Sequence, residues 1–184
     1  RRFQTILVYP NGLNRLEPSV QIAADIAQRT GATMLVVAVL GPASRAERSD
    51  PSLMRQERRR ERDELHQLVA DLRTEAVDAR AVLLTGSDRA ELLLAEARDA
   101  GADLLIKTAR GGDGPGHVKF GSVAAKLLRE AQCPVWIARP DPGRDRRVVL
   151  AAISPQHERP SLEQTDRDVL DVAMQLAELR NAAL

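Results

Sequence analysis

The chain has 184 residues and a mass of 20.2 kDa, the size of one complete domain with little left over. Apolar residues make up 43% and charged residues 29%, an ordinary globular composition, and the longest clean apolar run, Met34–Leu40, is far short of the ~20 residues a spanning helix needs. The 27 basic and 26 acidic residues nearly cancel to +1 and aromatics are only 2%, which argues against a global electrostatic attraction to nucleic acid or membrane and against a base-stacking platform.

Thr5–Tyr9 (TILVY) is a short β-branched run that stops at Pro10-Asn11-Gly12, so it predicts a buried strand entering a turn. Pro18–Arg29 places Val20, Ala23, Ile26 and Ala27 at helical spacing, with Gly31 where a C-terminal cap belongs. Ala32–Leu40 predicts a second strand with no polar alternation, as in a parallel sheet covered on both faces. Gly41–Pro51 is polar and proline-bounded, hence a loop. Leu53–Thr74 predicts a long charged helix with Leu65, Leu68, Val69 and Leu72 on its apolar stripe. Then come a strand at Ala79–Leu84, a helix at Asp88–Ala100 and a strand at Asp103–Ile106. Thr108–Phe120 holds Gly111, Gly112, Gly114 and Gly116 and predicts a loop. Ser122–Ala131 is a helix with Val123, Leu127, Leu128 and Ala131 inward, and Pro134–Ala138 is a fifth strand. This alternation predicts an α/β fold: a doubly wound, five-stranded parallel sheet sandwiched by helices.

Arg139–Arg146 reads as a linker by composition. Beyond it the opening pattern returns: Val148–Ile153 (VVLAAI) resembles Thr5–Pro10, and Ile22–Gln28 lines up with Val172–Glu178. The expected organisation is a first domain at 1–140, a linker at 141–146, and a partial second copy (first strand and helix) at 147–184. A βα fragment cannot bury its apolar face alone, so it must dock on the first domain, pair with another chain or belong to a longer protein.

Open α/β sheets bind ligands at the carboxyl ends of their strands, where strand order reverses. The loop Lys107–Gly121 is the most informative there. It is glycine-rich and leads into a helix that starts at Gly121-Ser122, where unpaired amides and partial positive charge suit phosphate. The Ser122 hydroxyl can cap the helix and donate to a phosphate oxygen. The same composition equally suits a plain surface loop. There is no Gly-Lys-Ser/Thr phosphate loop, and no dinucleotide fingerprint follows the first strand.

At this loop the chain resembles the universal stress protein family. Gly111, nine residues, then Gly121-Ser122 fits the spacing of that family's nucleotide signature, and Ser122–Arg129 with Ala131–Val135 is similar to its "GSVA…LLR.A.CPV" ending. The likeness runs from Gln4 to Arg139. It implies that Tyr9, Pro10 and Asn11 lie beside adenine and ribose and that Val39 lines the adenine pocket. Lys107, Thr108 and Gly111 would border ribose and phosphate; Gly121, Ser122 and Val123 would hold the phosphates. The implied function is non-catalytic binding of ATP or another adenine nucleotide in a stress response, with Mg as a companion ion where the nucleotide is present. Three positions depart from the signature: Thr108 stands for its first glycine, Lys107 for an apolar residue, and Asn11 for the Asp that holds the adenosine end. The Leu-Ile-Lys-Thr phrase (Leu105–Thr108) and the second copy starting at Arg147 resemble the tandem branch of the family, and Thr108, Asn11 and that layout keep open a rival role as a scaffold with a degraded pocket. The family's pairing through the last strand implies a homodimer or an intramolecular pseudo-dimer through Pro134–Ala138. Adenylating enzymes of pyrophosphatase type share the topology, but Pro10-Asn11-Gly12-Leu13 is unlike their Ser-Gly-Gly loop, so turnover is not expected.

Other residues read as structural. Cys133, the one cysteine, is expected to be a small buried residue, and it allows no internal disulfide. His66, His117 and His157 show no metal-ligand spacing. Arg55–Arg62 (RQERRRER) is interleaved with Glu57, Glu61, Asp63 and Glu64, which reads as a solvated helix face rather than a nucleic-acid patch. Trp136 is expected in core or sheet-edge packing. No basic-then-apolar leader opens the sequence, so a cytoplasmic protein is expected, and the opening on Arg1 suggests a trimmed start.

Overall fold

A computed structural model describes residues 3–42, 50–109, 121–139, 148–153, 160–180 and 182, with side chains of the last helix from 164 to 179. The elements are β1 (Thr5–Tyr9), α1 (Pro18–Thr30), β2 (Thr33–Leu40), α2 (Pro51–Thr74), β3 (Ala79–Thr85), α3 (Arg89–Asp99), β4 (Leu104–Thr108), α4 (Ser122–Glu130), β5 (Val135–Ala138) and α5 (Pro160–Arg180). The five strands form one parallel sheet in the order β3-β2-β1-β4-β5. The chain divides into two compact units, Phe3–Pro140 and Asp141–Leu184 with Arg1–Arg2.

β1 is the central strand and is apolar on both faces because both are covered. Leu7 faces Val37, Val39 and Leu105, and is covered by Leu93, Leu94 and Ala97 of α3 and Leu127 of α4. The alternate residues Ile6, Val8 and Ile106 are fully buried toward the opposite face, where α1 and α2 pack on the strands. Each fully buried Leu or Ile contributes about 1.5–3 kcal/mol by removal from water. Register is pinned at the amino end of the sheet. There Asp103 Oδ2 accepts from the Gln4 and Thr5 amides at 2.8 and 3.0 Å. Leu7 therefore stands beside Leu105, and two residues on Tyr9 stands beside Lys107.

Helix ends follow their local chemistry. Gly31 adopts φ 72° and its amide bonds Ala27 O, the left-handed cap expected of it. α2 starts at Pro51 instead of Leu53, because the Asp50 carboxylate caps the Ser52 and Leu53 amides and Pro51 fits the first helical position. The Asp88 carboxylate caps α3 by accepting from the Glu91 amide.

Several expectations are corrected. Thr108 belongs to β4, not to the following loop, because the parallel pairing with Ala138 carries the strand further. Leu128 is 49% exposed and turns away from the sheet, one position off the inward stripe that Ala124 and Leu127 define. Val148–Ile153 is not a strand: Val148 makes an isolated bridge, the rest is irregular, and Leu150 is 89% exposed. A strand pattern forms a strand only where neighbours supply its ladder. Within α5, Ala173 and Ala177 are buried and Met174 is half exposed. The expected linker at 141–146, the glycine run with Gly111 and His117, and His157 lie outside the described residues.

Candidate functional site

The connections move from β1 through β2 to β3 on one side, then to β4 and β5 on the other, so strand order reverses between β1 and β4. The carboxyl ends of these two strands bound the crevice where such a sheet takes a ligand.

The β1 side supplies Tyr9, half-buried, then Pro10, buried, then Asn11, exposed. A turn follows, in which Asn14 Oδ1 accepts from the Leu16 amide and the Asn14 amide donates to Gly12 O. The β4 side supplies Lys107 and Thr108, only 6% and 4% exposed, then buried Ala109. Lys107 Nζ lies 5.5 Å from the centre of the Tyr9 ring, a cation–π contact. It donates to Asn11 Oδ1 at 3.2 Å and to Thr108 O at 2.7 Å. Asn11 Nδ2 donates in turn to Ala109 O at 3.0 Å. The Asn11 carboxamide thus ties the β1 turn to the end of β4 through both of its polar atoms.

Thr108 faces the opposite way, as alternation along a strand requires. Its hydroxyl donates to Ser19 Oγ at 2.7 Å and accepts from the Ser19 amide at 3.4 Å, with Ser19 completely buried. Glu17, at the N-cap of α1, makes no side-chain cap bond. The Thr108 hydroxyl therefore takes up one amide of the first turn of α1 from the neighbouring strand.

Val39 on β2, Tyr9 and Val123 on α4 pack against the same apolar cluster, so three expected lining residues are brought together. Gly121 is the N-cap of α4 in extended backbone, without a side-chain cap bond, and Ser122 is exposed in the first turn. α4 is held to α3 by Lys126, whose Nζ bonds Asp88 Oδ2 and Glu91 Oε2, each at 3.0 Å. Those bonds, Glu91 first and Asp88 second, raise the Lys126 pKa above its ordinary value. The Glu91 amide, then Lys126, hold the Asp88 carboxyl below the usual carboxylate range. Cys133, half-buried beside β5, has its thiol pushed up by burial first and by Asp103 second, which opposes thiolate formation. Arg60–Glu64 and Arg59–Asp63 pair along α2 at one-turn spacing, 2.7 and 4.0 Å.

Of the ten expected site residues, all but Gly111 are described. Tyr9, Asn11, Lys107 and Thr108 meet around the β1/β4 junction. Pro10 precedes Asn11 in the same turn, Val39 and Val123 join through the apolar cluster, and Gly121 and Ser122 open α4. Three participants carried no individual signal: Ser19, Ala109 and Lys126. Asp88-x-x-Glu91 has the spacing of a capping box and marks the start of α3 that Lys126 grips.

A model of the "Universal stress protein family" matches residues 2–139. The "universal stress protein in QAH/OAS sulfhydrylase 3′ region" of Thermus aquaticus is 31% identical over 147 residues, covering 74% of this chain and 99% of that protein. Two solved structures show the same fold. The universal stress protein from Archaeoglobus fulgidus in complex with dAMP has a TM-score of 0.54 at 22% identity, covering 75% of this chain and 99% of that one. A putative universal stress protein from Pseudomonas aeruginosa UCBPP-PA14 has a TM-score of 0.69 at 22% identity, covering 99% of this chain and 60% of that one.

Proposed function

The chain belongs to the universal stress protein family, and on that premise we propose that it binds an adenine nucleotide, ATP in particular, without turnover, in the crevice over the carboxyl ends of β1 and β4. One observation carries this reading: Tyr9, Val39 and Val123 pack in or against one apolar cluster, and the Tyr9 ring adjoins the Lys107 ammonium that bonds Asn11. The arrangement offers a flat apolar wall for a base, hydrogen-bonding groups for a ribose and, at Gly121-Ser122, the amide end of α4 for phosphate. The Archaeoglobus fulgidus relative solved with dAMP lends support. Gly111 belongs to the phosphate end in this reading, and Mg accompanies the phosphates of ATP. Among the described residues the Lys107 ammonium is engaged by Asn11 Oδ1 and Thr108 O, and the Thr108 hydroxyl by Ser19, which supports binding over turnover. The role is a stress-response binding protein of the cytoplasm, paired through β5, with residues 147–184 as the opening of a second copy of the tandem type. The buried Ala173 and Ala177 of α5 at positions matching Ala23 and Ala27, and the alignment of nearly the whole chain with the longer Pseudomonas aeruginosa protein, support that last element.

The test is equilibrium binding of ATP and AMP to the purified chain. Saturation below a few millimolar is expected, and no association at millimolar ligand rejects the reading. Gly121→Val, which sets a branched side chain against the phosphate end, abolishes binding if the α4 amides hold phosphate.

A second reading is favoured by the bonds of Lys107 and Thr108: a scaffold whose crevice is filled by its own side chains, assembling through β5. A strictly monomeric species that binds ATP counts against it.

A further inference from the structure

We propose that Lys107 sets the affinity of the crevice by competing with the incoming nucleotide for the Asn11 side chain. The inference rests on the nucleotide site just proposed and adds what limits access to it. Asn11 accepts from Lys107 Nζ through Oδ1 and donates to Ala109 O through Nδ2, at 3.2 and 3.0 Å. A carboxamide can do both; a carboxylate accepts at both oxygens and would face the Ala109 carbonyl with like partial charge. Asn11 is thus suited to an internal bridge.

Lys107 is its counterpart. Lys107 is buried as a residue, only 6% exposed, and its ammonium also holds Thr108 O at 2.7 Å while lying against the Tyr9 ring. Charge-assisted bonds at a buried position are stronger than neutral or solvated ones. A ribose hydroxyl that uses Asn11 Oδ1, or a base that stacks on Tyr9, meets the ammonium already in place. Thr108 is bonded on the other face to Ser19, and β4 is laddered on both edges, to β1 and to β5, which opposes a shift of the strand to make room. Entry requires the Lys107 side chain to swing out, and the apparent affinity is lowered by the fraction of molecules in which it has done so.

The experiment is calorimetric titration with ATP of the wild-type chain, Lys107→Met and Lys107→Ala, with thermal melts to show that each variant folds. The expected result is at least tenfold tighter ATP binding by both variants. Wild type that saturates while both variants bind equally or more weakly overturns the competition and leaves the nucleotide site standing. Variants that bind where wild type does not support the competition and assign the wild-type chain to the closed-scaffold reading. Failure of all three folded proteins to bind at millimolar ATP removes the nucleotide site and this inference together. A measurement on the unaltered chain guards against variants that do not fold. Lys107, Lys119 and Lys126 are its three lysines. Saturating ATP should change amine labelling of Lys107 relative to Lys126 at least threefold, and an unchanged ratio overturns the proposal.

Discussion

Replacing Thr108 by Val removes one hydroxyl and nearly nothing else, because Val keeps the shape and the strand preference. The hydroxyl sits in a site where Thr108 is 4% exposed and Ser19 not at all. Two interactions go with it: the 2.7 Å bond to Ser19 Oγ, and the 3.4 Å bond from the Ser19 amide, which is near the limit of a hydrogen bond. The first is worth about 1 kcal/mol net, and leaving Ser19 polar atoms buried with fewer partners adds about 1 kcal/mol more, so the expected loss is about 2 kcal/mol. Ser19→Ala should cost a similar amount. The double variant removes both hydroxyls and orphans only the Ser19 amide, so its loss should be about 1–2 kcal/mol, well under the sum of the two singles. Urea unfolding followed by fluorescence of Trp136 reads this directly, since the single tryptophan lies on β5 in register with Ile106 of β4. At a typical slope of about 2 kcal/mol per molar urea, Thr108→Val should lower the midpoint by about 1 M. A loss under about 0.5 kcal/mol, or additive singles, would refute the claim that this hydroxyl caps α1 from across the sheet.

Two further outcomes follow from local geometry. Asp88→Asn keeps an acceptor for the Glu91 amide but loses the charge facing Lys126; because the folded carboxyl titrates below its unfolded value, its contribution is present above about pH 4 and lost as pH falls through the folded pKa. The urea midpoints of wild type and variant should therefore differ at pH 6 and draw together as pH falls below about 4, and a gap constant with pH contradicts the assignment. Gly31→Ala meets no atom within 4 Å but must hold φ 72°, so it should cost about 1–2 kcal/mol from backbone strain alone; a neutral result in urea would show that the cap relaxes.

The fold was legible wherever the signal was local. Strands without polar alternation, such as Thr33–Leu40, announce a parallel sheet, and stripes such as Leu65, Leu68, Val69 and Leu72 announce the covering helices. Val148–Ile153 shows the limit of that signal. Its pattern resembles that of Thr5–Tyr9, but β1 is a strand because residues 33–36 and 104–107 flank it, and a pattern does not carry its partners with it. Tyr9, Asn11 and Lys107, named through the resemblance, do meet at the β1/β4 junction. Ser19 and Ala109 were not legible, because their part depends on pairing between segments some 90 to 100 residues apart. A backbone carbonyl such as Ala109 O leaves no mark in sequence at all.

Lys107 and Thr108 look like one departure from the signature, since they adjoin, but the strand sends them to opposite faces and so gives them different work. Lys107 shares the face of Leu105, Leu7 and Tyr9, under α3 and α4, where a ligand would lie. Thr108 shares the face of Ile106 and reaches α1 through Ser19, away from that space. A threonine on the α1 side obstructs nothing in the crevice; it replaces the missing side-chain cap of that helix and fixes the end of β4. The obstruction belongs to Lys107, and Asn11 is the residue that makes it stay. If so, changes at residue 108 should register chiefly in stability, and those at 107 in nucleotide affinity. A Thr108→Val chain that gained ATP affinity as strongly as Lys107→Met would show that the two faces are coupled through the backbone of β4 and that this division is wrong.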